Sequence, residues 1–209
     1  MHQYDIIEGE GKYVFYENME EVTQIQGPCE ITFEGDNGPG DFSRVKLPEV
    51  EISKITFHNC TVDLDYPYIP RHLRTLRLDD VRLVGGFTRK MSVDHLIVNN
   101  MCVDSPDAFG KYFEKATRTS FEHAWDAVAC VIPDTTTILE TQSPAINPEI
   151  AEVVMEEYPN LRSLTMQLDS EKDLAQAIMM SPGMDVTHQA GNMFGIKRLI
   201  DSYKAYTQV

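Results

Sequence analysis

One spacing of apolar residues recurs three times in the central third of the chain and constrains the fold more than any other feature. Positions 1, 4, 6, 9 and 11 of a window are apolar, and the same positions are apolar again 21 and then 20 residues further on. The three sets are Ile52, Ile55, Phe57, Cys60 and Val62; Leu73, Leu76, Leu78, Val81 and Leu83; and Val93, Leu96, Val98, Met101 and Val103. A unit of this length buries its apolar face only by stacking on its neighbours, so we expect a solenoid.

The segments that carry the repeat are ISKITFHNCTV, LRTLRLDDVRL and VDHLIVNNMCV. They resemble the leucine-rich repeat, whose consensus is L-x-x-L-x-L-x-x-N/C-x-L. Cys60 matches the consensus Asn or Cys, whereas Val81 and Met101 depart from it. The short step and the lead-in IPRHLRTLRL also resemble the compact repeats of some bacterial effectors and of FNIP-type proteins. The resemblance implies an α/β fold, a short curved solenoid with a stacked parallel sheet and an irregular convex side. An unrelated α/β domain with several LxLxL strands is the alternative.

Weaker matches extend the repeat in both directions. The fourth position of each unit gives the series 31, 55, 76, 96, 119, 138, 164 and 184. We therefore expect one domain over residues 1–209, with an N-terminal strand cap at 1–24, a repeat array at 25–190 and a helical C-terminal cap at 191–209. Apolar spacing and Pro positions also predict helices at 105–116 and 148–158.

Charge and segment composition exclude several kinds of partner. The chain has 18 basic and 33 acidic residues and a net charge of −15, so DNA, RNA and anionic lipid surfaces would repel it. The acidic N-terminus does not read as a secretory signal, and the longest apolar run, 127–132, is far shorter than the ~20 residues of a membrane helix. The sequence therefore predicts a cytoplasmic protein without membrane or direct nucleic-acid partners, and it leaves the oligomeric state open.

Motifs for metal, cofactor and catalytic chemistry are not found in the sequence. Cys29, Cys60, Cys102 and Cys130 form no C-x-x-C pair, and the histidines show no metal-binding spacing, so we predict mostly buried free thiols, no metal and no cofactor. Nucleophile-elbow, phosphate-loop and dinucleotide fingerprints are missing as well. We therefore expect a protein that is not an enzyme. The enzymatic alternative is a hydrolase-like centre around His58, Asp79 and His95.

The repeat frame also predicts an outward face. Side chains alternate along a strand, so residues at positions 5 and 7 point away from the core and line up in columns. Arg77 is a candidate hot spot because it combines a fork of donors with stacking ability, and an internal ion pair with Asp79 is the alternative. The predicted binding residues are Thr56, His58, Arg77, Asp79, Ile97, Asn99 and Leu139. The leading hypothesis is a non-enzymatic module that binds a protein partner on this face.

The acidic residues are concentrated near the N-terminus. Residues 1–51 contain 12 acidic and 3 basic residues. We predict an acidic patch of Glu30, Glu34, Asp36 and Asp41. It suggests a second hypothesis, an acidic inhibitor of immunity or antidefence type that blocks a basic, nucleic-acid-binding partner.

Overall fold

Strands that pair side by side make up nearly all of the regular secondary structure in the described residues. The computed structural model describes residues 4–7, 11–16, 25, 27–35, 38–47, 49–104, 106–122, 132–141, 158–166 and 185–187. The elements in these ranges are β1 (Tyr4–Ile7), β2 (Lys12–Tyr16), β3 (Cys29–Glu34), β4 (Gly40–Asp41), β5 (Ile52–Asp63), β6 (His72–Val84), β7 (Met91–Val103), α1 (Pro106–Tyr112), β8 (Phe113–Phe121), β9 (Ile138–Thr141), β10 (Ser163–Met166) and β11 (Asp185–Thr187).

The strands form one sheet in the order β1-β2-β3-β5-β6-β7-β8-β9-β10-β11, with β4 paired to β5 outside this path. Every pairing along the path from β2 to β11 is parallel, and β1 pairs antiparallel with β2 at the edge. Each parallel strand lies beside the next strand of the chain, so the chain winds as a parallel-sheet solenoid of about five turns. β2, which the sequence assigned to the N-terminal cap, is thus part of the parallel sheet.

The predicted frame is confirmed in the central strands. Ile31, Ile55, Leu76, Leu96 and Thr119 follow one another as paired residues across β3 to β8, and all five side chains are buried. Thr119 is polar at this inward position, and its hydroxyl is satisfied at 2.9 Å by the hydroxyl of Thr136.

The predicted register is wrong in two outer strands. Leu139, rather than Ile138, pairs with Thr119, and Val186, rather than Met184, pairs with Leu164. In β9 the adjacent apolar residues Ile138 and Leu139 leave it ambiguous which of the two side chains points into the core. The loop decides the register, because Thr137 donates from its backbone and from its hydroxyl to the carbonyl of Thr117, both at 3.0 Å.

The core is a column of side chains enclosed by the coils. At position 6 three aromatic rings stack, with centroids 5.7 Å apart between Phe15 and Phe33 and 5.1 Å apart between Phe33 and Phe57. Position 9 is also inward, and its residues Cys60, Val81 and Met101 are buried. The repeat thus places all of its inward positions in one apolar core.

A corner divides the outward surface of the long strands. Position 8 holds Asn59, Asp80 and Asn100, whose φ angles of 49°, 52° and 56° lie in the left-handed region. Asn and Asp adopt this conformation more readily than other non-glycine residues. The bend separates positions 10 and 12 from the outward side chains at positions 3, 5 and 7, which we call the central face.

The helix content of the described residues is too low to confirm the α/β prediction. The described residues contain one helix, α1, which ends at Tyr112 instead of residue 116 because β8 begins at Phe113. Phe109, Tyr112 and Phe113 are buried, as the apolar spacing predicted. The predicted helices at 148–158 and 191–209 lie almost entirely outside the described residues, so the α/β class and the helical cap stay predictions. None of the helical residues that the structure describes form a segment able to cross a bilayer.

The three described cysteines agree with the prediction of free, mostly buried thiols. Cys29 and Cys60 are free thiols buried in the core, and burial raises the pKa of Cys60 to about 12. Cys102 is free but exposed, because position 10 points outward beyond the corner. Cys130 lies outside the described residues.

Candidate functional site

The central face brings together six of the seven predicted binding residues. Thr56, Arg77 and Ile97 are paired neighbours at position 5 of β5, β6 and β7. The row at position 7 is His58, Asp79 and Asn99. All six residues are partly exposed, so each can contact both the protein and a ligand.

Leu139 is not a surface residue, and its assignment to the binding face is wrong. Its side chain is 0% exposed and occupies the inward position 4 of β9. The shift of one residue places Glu140 on the outward position instead, paired with Ser120 of β8. A one-residue change of register moves a side chain to the opposite face of a strand.

Arg77 is held in a fixed orientation by two carboxylates. It donates to both oxygens of Glu122, with Nη1 3.0 Å from Oε1 and Nη2 2.5 Å from Oε2. Glu122 follows β8, so the guanidinium reaches across β7. Asp79 is a more distant partner, with Oδ2 3.4 Å from Nη2. The hydrogen bond to Glu122 raises the pKa of Arg77 further, and Arg77 is therefore a permanent cation in the middle of the face.

Polar side chains at positions 7 and 8 are linked from strand to strand. Asn99 donates to Asp79 at 2.5 Å, and Asn100 donates to Asp80 at 2.6 Å. On the other side, Nδ1 of His58 lies 2.5 Å from Oε1 of Glu34, which sits on β3. These contacts form a row of carboxylates, amides and one imidazole along the corner.

A second polar group lies at the other side of the central face, on β7, β8 and β9. Nε2 of His95 is 2.7 Å from the hydroxyl of Ser120, and this hydroxyl donates to Oε2 of Glu140 at 2.8 Å. Arg118 donates to both oxygens of Glu140, at 2.8 and 2.6 Å. Burial and the Arg118 cation lower the pKa of His95. Burial raises the pKa of Glu140, but hydrogen bonds from Arg118 and Ser120 outweigh it and leave the pKa low.

The order of this group differs from that of a nucleophilic triad. In a triad the imidazole lies between the serine and the carboxylate, so that it takes the serine proton and is oriented by the acid. Here Ser120 lies between His95 and Glu140, and its hydroxyl donates a hydrogen bond to the carboxylate. The His95 Nε2–H then donates to the hydroxyl of Ser120. The hydrogen bond from the serine hydroxyl to the imidazole that defines a triad is therefore replaced here by one to a carboxylate.

The residues of the enzymatic alternative do not converge. His58 and Asp79 are adjacent, but His95 lies two strands from His58 and at position 3 of its strand, where it pairs with Thr75. Four positions along a strand correspond to roughly 13 Å. The structure therefore does not place the three groups in one pocket.

The predicted acidic patch is divided by the corner. Glu30 and Glu34 are partly exposed on the central face, whereas Asp41 is exposed on β4, which pairs with the part of β5 beyond the corner. A hydrogen bond from Ser43 lowers the pKa of Asp41. Asp36 lies outside the described residues.

An open groove lies on the early positions of β5, β6 and β7. Its volume is about 520 Å³, and Ser53, His72, Arg74, Asp94 and Lys115 are among its lining residues. Lys115 forms an ion pair with Asp94 at 2.7 Å. None of the predicted binding residues line it, and charges of both signs are mixed along its walls.

The sequence pattern does not indicate Glu122 as the main partner of Arg77, and it does not indicate the roles of Asp80, Ser120 and Glu140. Glu122 occupies position 7 in the predicted frame, but its contact skips one strand and is set by the reach of an arginine. The sequence signal for Asp80 was the recurrence of Asn or Asp at position 8, which is also occupied by Asn59 and Asn100. These three residues form the corner.

Comparisons with protein-family models, with curated proteins and with solved structures gave no match to this chain.

Proposed function

We propose that this protein is a non-enzymatic binding module that holds a protein partner on the central face. The observation that supports the proposal is the bridge from Arg77 to Glu122 across β7, beside the partly exposed Ile97. Protein interfaces concentrate binding energy in an apolar or arginine anchor surrounded by polar groups that exclude water. Ile97 supplies the apolar centre, and Asn99 with Asp79 supplies the polar surround.

Rigidity of the face adds to this support. A partner that meets Arg77 finds a side chain already fixed by two hydrogen bonds to one carboxylate, so less rotamer freedom is lost on binding. The parallel strands beneath it hold each column in register. The resemblance to leucine-rich repeats is part of the same proposal, because such repeats present their parallel strands to protein partners. The proposal also includes a cytoplasmic location.

The experiment removes the centre of the face without touching the core. The immobilised full chain captures partners from an extract of the cells that express it, and the captured proteins are quantified by mass spectrometry. We expect the variant with both Arg77→Ala and Ile97→Asp to lose its partner by at least tenfold. Its circular dichroism stays that of the parent chain, because both side chains point outward.

Arg82→Ala is the matched control. Arg82 is an exposed arginine on the same strand, at position 10 beyond the corner. Arg77→Ala and Arg82→Ala each remove one positive charge from β6, but from different faces, so capture is retained in Arg82→Ala. The double variant also gains one negative charge from Ile97→Asp. Equal capture by both variants, or equal loss in both, would contradict the assignment of the central face as the binding surface.

A second candidate function is favoured by the charges at the corner. Glu34, Asp79, Asp80 and Glu122 gather at positions 7 and 8, where Arg77 neutralises part of their charge. An acidic row of this kind suits an inhibitor that occupies a basic, nucleic-acid-binding groove. The two candidates differ in how their binding depends on salt.

A further inference from the structure

A histidine and two aspartates meet at the corner of β5 and β6. His58, Asp79 and Asp80 each offer one ligand atom, and these atoms all lie within 4.8 Å of one another. We propose that the three side chains form a binding site for a divalent transition-metal cation, with Zn²⁺ as its representative. The proposal is independent of the protein-binding function, although His58 and Asp79 belong to the same face.

The imidazole of His58 is already oriented as a metal ligand. Its Nδ1 lies 2.5 Å from Oε1 of Glu34, which holds the ring proton on Nδ1 and leaves the lone pair of Nε2 available. Nε2 points toward the corner and lies 4.0 Å from Oδ2 of Asp80. A carboxylate behind a histidine is the usual outer support of a metal-bound imidazole.

The two carboxylates are supported in the same way. Asn99 donates to Oδ1 of Asp79 and Asn100 donates to Oδ1 of Asp80, so one oxygen of each carboxylate is fixed from outside the site. The remaining oxygen of Asp80 is the one that faces His58. The remaining oxygen of Asp79 has Arg77 as its contact at 3.4 Å, which is long for a charged hydrogen bond and leaves room for a closer ligand.

The distances fit a site that closes slightly when it is filled. Ligand atoms on a tetrahedral zinc ion with bonds of about 2.1 Å are roughly 3.4 Å apart. The ligand atoms of the three residues are at present up to 4.8 Å apart, and His58 Nε2 is 4.0 Å from Asp80 Oδ2. Rotation of the side chains of His58 and Asp80, which are 37% and 48% exposed, brings these atoms closer to a shared ion.

The donor set selects the kind of cation. One imidazole with two carboxylates suits Zn²⁺ and its neighbours among the transition metals, whereas Mg²⁺ and Ca²⁺ prefer oxygen alone. Glu34 adds negative charge beside His58, which also favours a cation, whereas the charge of Glu122 is already balanced by Arg77. Three protein ligands leave a fourth position for water or for a group of a bound partner.

The test is calorimetric titration of the metal-free full chain with Zn²⁺, Mg²⁺ and Ca²⁺. We expect one Zn²⁺ site that is lost, or weakened at least about tenfold, in His58→Gln and in Asp80→Asn. Asp80→Asn preserves the fold, because Asn already occupies the same corner position in β5 and β7 and still accepts the hydrogen bond from Asn100. His72 is an exposed histidine at the start of β6, and His72→Gln is the control variant that retains the site.

A further variant and a spectroscopic readout make the assignment specific. Glu34→Gln leaves all three ligands in place but weakens the support of the imidazole, so Zn²⁺ affinity falls about 10- to 100-fold. Addition of Zn²⁺ shifts the ¹⁵N resonance of His58 Nε2, identified by its loss in His58→Gln. The proposal is overturned if Zn²⁺ does not bind the parent chain at about 100 μM, if binding survives His58→Gln, or if Mg²⁺ or Ca²⁺ binds more tightly.

Discussion

At the scale of single residues, Arg71 and Tyr112 show how a polar pair is accommodated inside the solenoid. Tyr112 is fully buried, and its hydroxyl donates to the carbonyl of Leu64 at 2.8 Å and accepts from Nη1 of Arg71 at 2.8 Å. Arg71 also donates to backbone carbonyls of Leu64, Tyr66 and Arg89. The pair fixes the loop between β5 and β6 against α1.

Replacing Tyr112 by Phe changes how stability depends on pH. Burial raises the pKa of Tyr112 to about 12, above its usual value of about 10. At pH 7 we expect Tyr112→Phe to be less stable by about 1 kcal/mol, because two hydrogen bonds are lost.

The unfolded parent chain ionises Tyr112 from about pH 10, whereas the folded chain keeps its proton until about pH 12. Stability of the parent therefore falls relative to Tyr112→Phe as the pH rises through this window. Urea denaturation at pH 7, 10 and 11.5 measures the difference. A constant difference across the three pH values would contradict the burial of this hydroxyl.

At the scale of elements, the corner at position 8 shapes each coil. Asn59, Asp80 and Asn100 take the left-handed conformation in three successive strands, and side-chain hydrogen bonds link them to neighbouring coils. The repeat of a polar, turn-tolerant residue was readable in the sequence. The corner that these residues form was not readable, because the apolar pattern continues on both sides of position 8 and resembles one straight strand.

Substitutions at Asn100 test the corner. A β-branched side chain in the left-handed region costs roughly 1–2 kcal/mol, whereas glycine adopts this conformation without strain. We expect Asn100→Val to lower the free energy of unfolding by more than Asn100→Gly, by about 1–2 kcal/mol. Urea denaturation of the two variants measures the difference. Both variants lose the hydrogen bond to Asp80 equally, so a difference near zero would show that the backbone conformation is not the cause.

At the scale of the whole molecule, the net charge of −15 determines how a partner approaches. The structure places Glu34 and Asp79 on the central face and Asp80 at the corner next to it, beside the arginine that we propose as an anchor. A partner held mainly by Ile97 and Arg77 and a partner held by the carboxylates therefore use overlapping surfaces. Ionic strength separates the two modes, because it screens exposed charges and leaves apolar contacts almost unchanged.

Binding of the captured partner is measured at low and high salt. Raising NaCl from about 0.1 to 1 M shortens the Debye length from roughly 10 to 3 Å. We expect the dissociation constant to rise by less than about tenfold, since the central contact is apolar and Arg77 is already paired. A rise above about 100-fold would contradict this mode and support the acidic inhibitor. Arg82→Ala, outside the face, serves again as the control.

The sequence by itself determined the solenoid and most of the central face. Five apolar positions in a step of 20–21 residues leave stacked parallel strands as the way to bury them, and strict alternation fixes Thr56, Arg77 and Ile97 outward. It failed at Leu139, because two adjacent apolar residues in β9 make both registers equally plausible, and a loop hydrogen bond between Thr137 and Thr117 decides between them.

Only the tertiary structure decided which side chains meet. Arg77 reaches Glu122 across an intervening strand, and His58 joins Asp79 and Asp80 from a strand 21 residues earlier. The reason is geometric: stacking brings residues one repeat apart to neighbouring strands about 4.8 Å apart. Side-chain length and the bend at the corner then select the contacts. Neither quantity is visible in the spacing of residues along the chain.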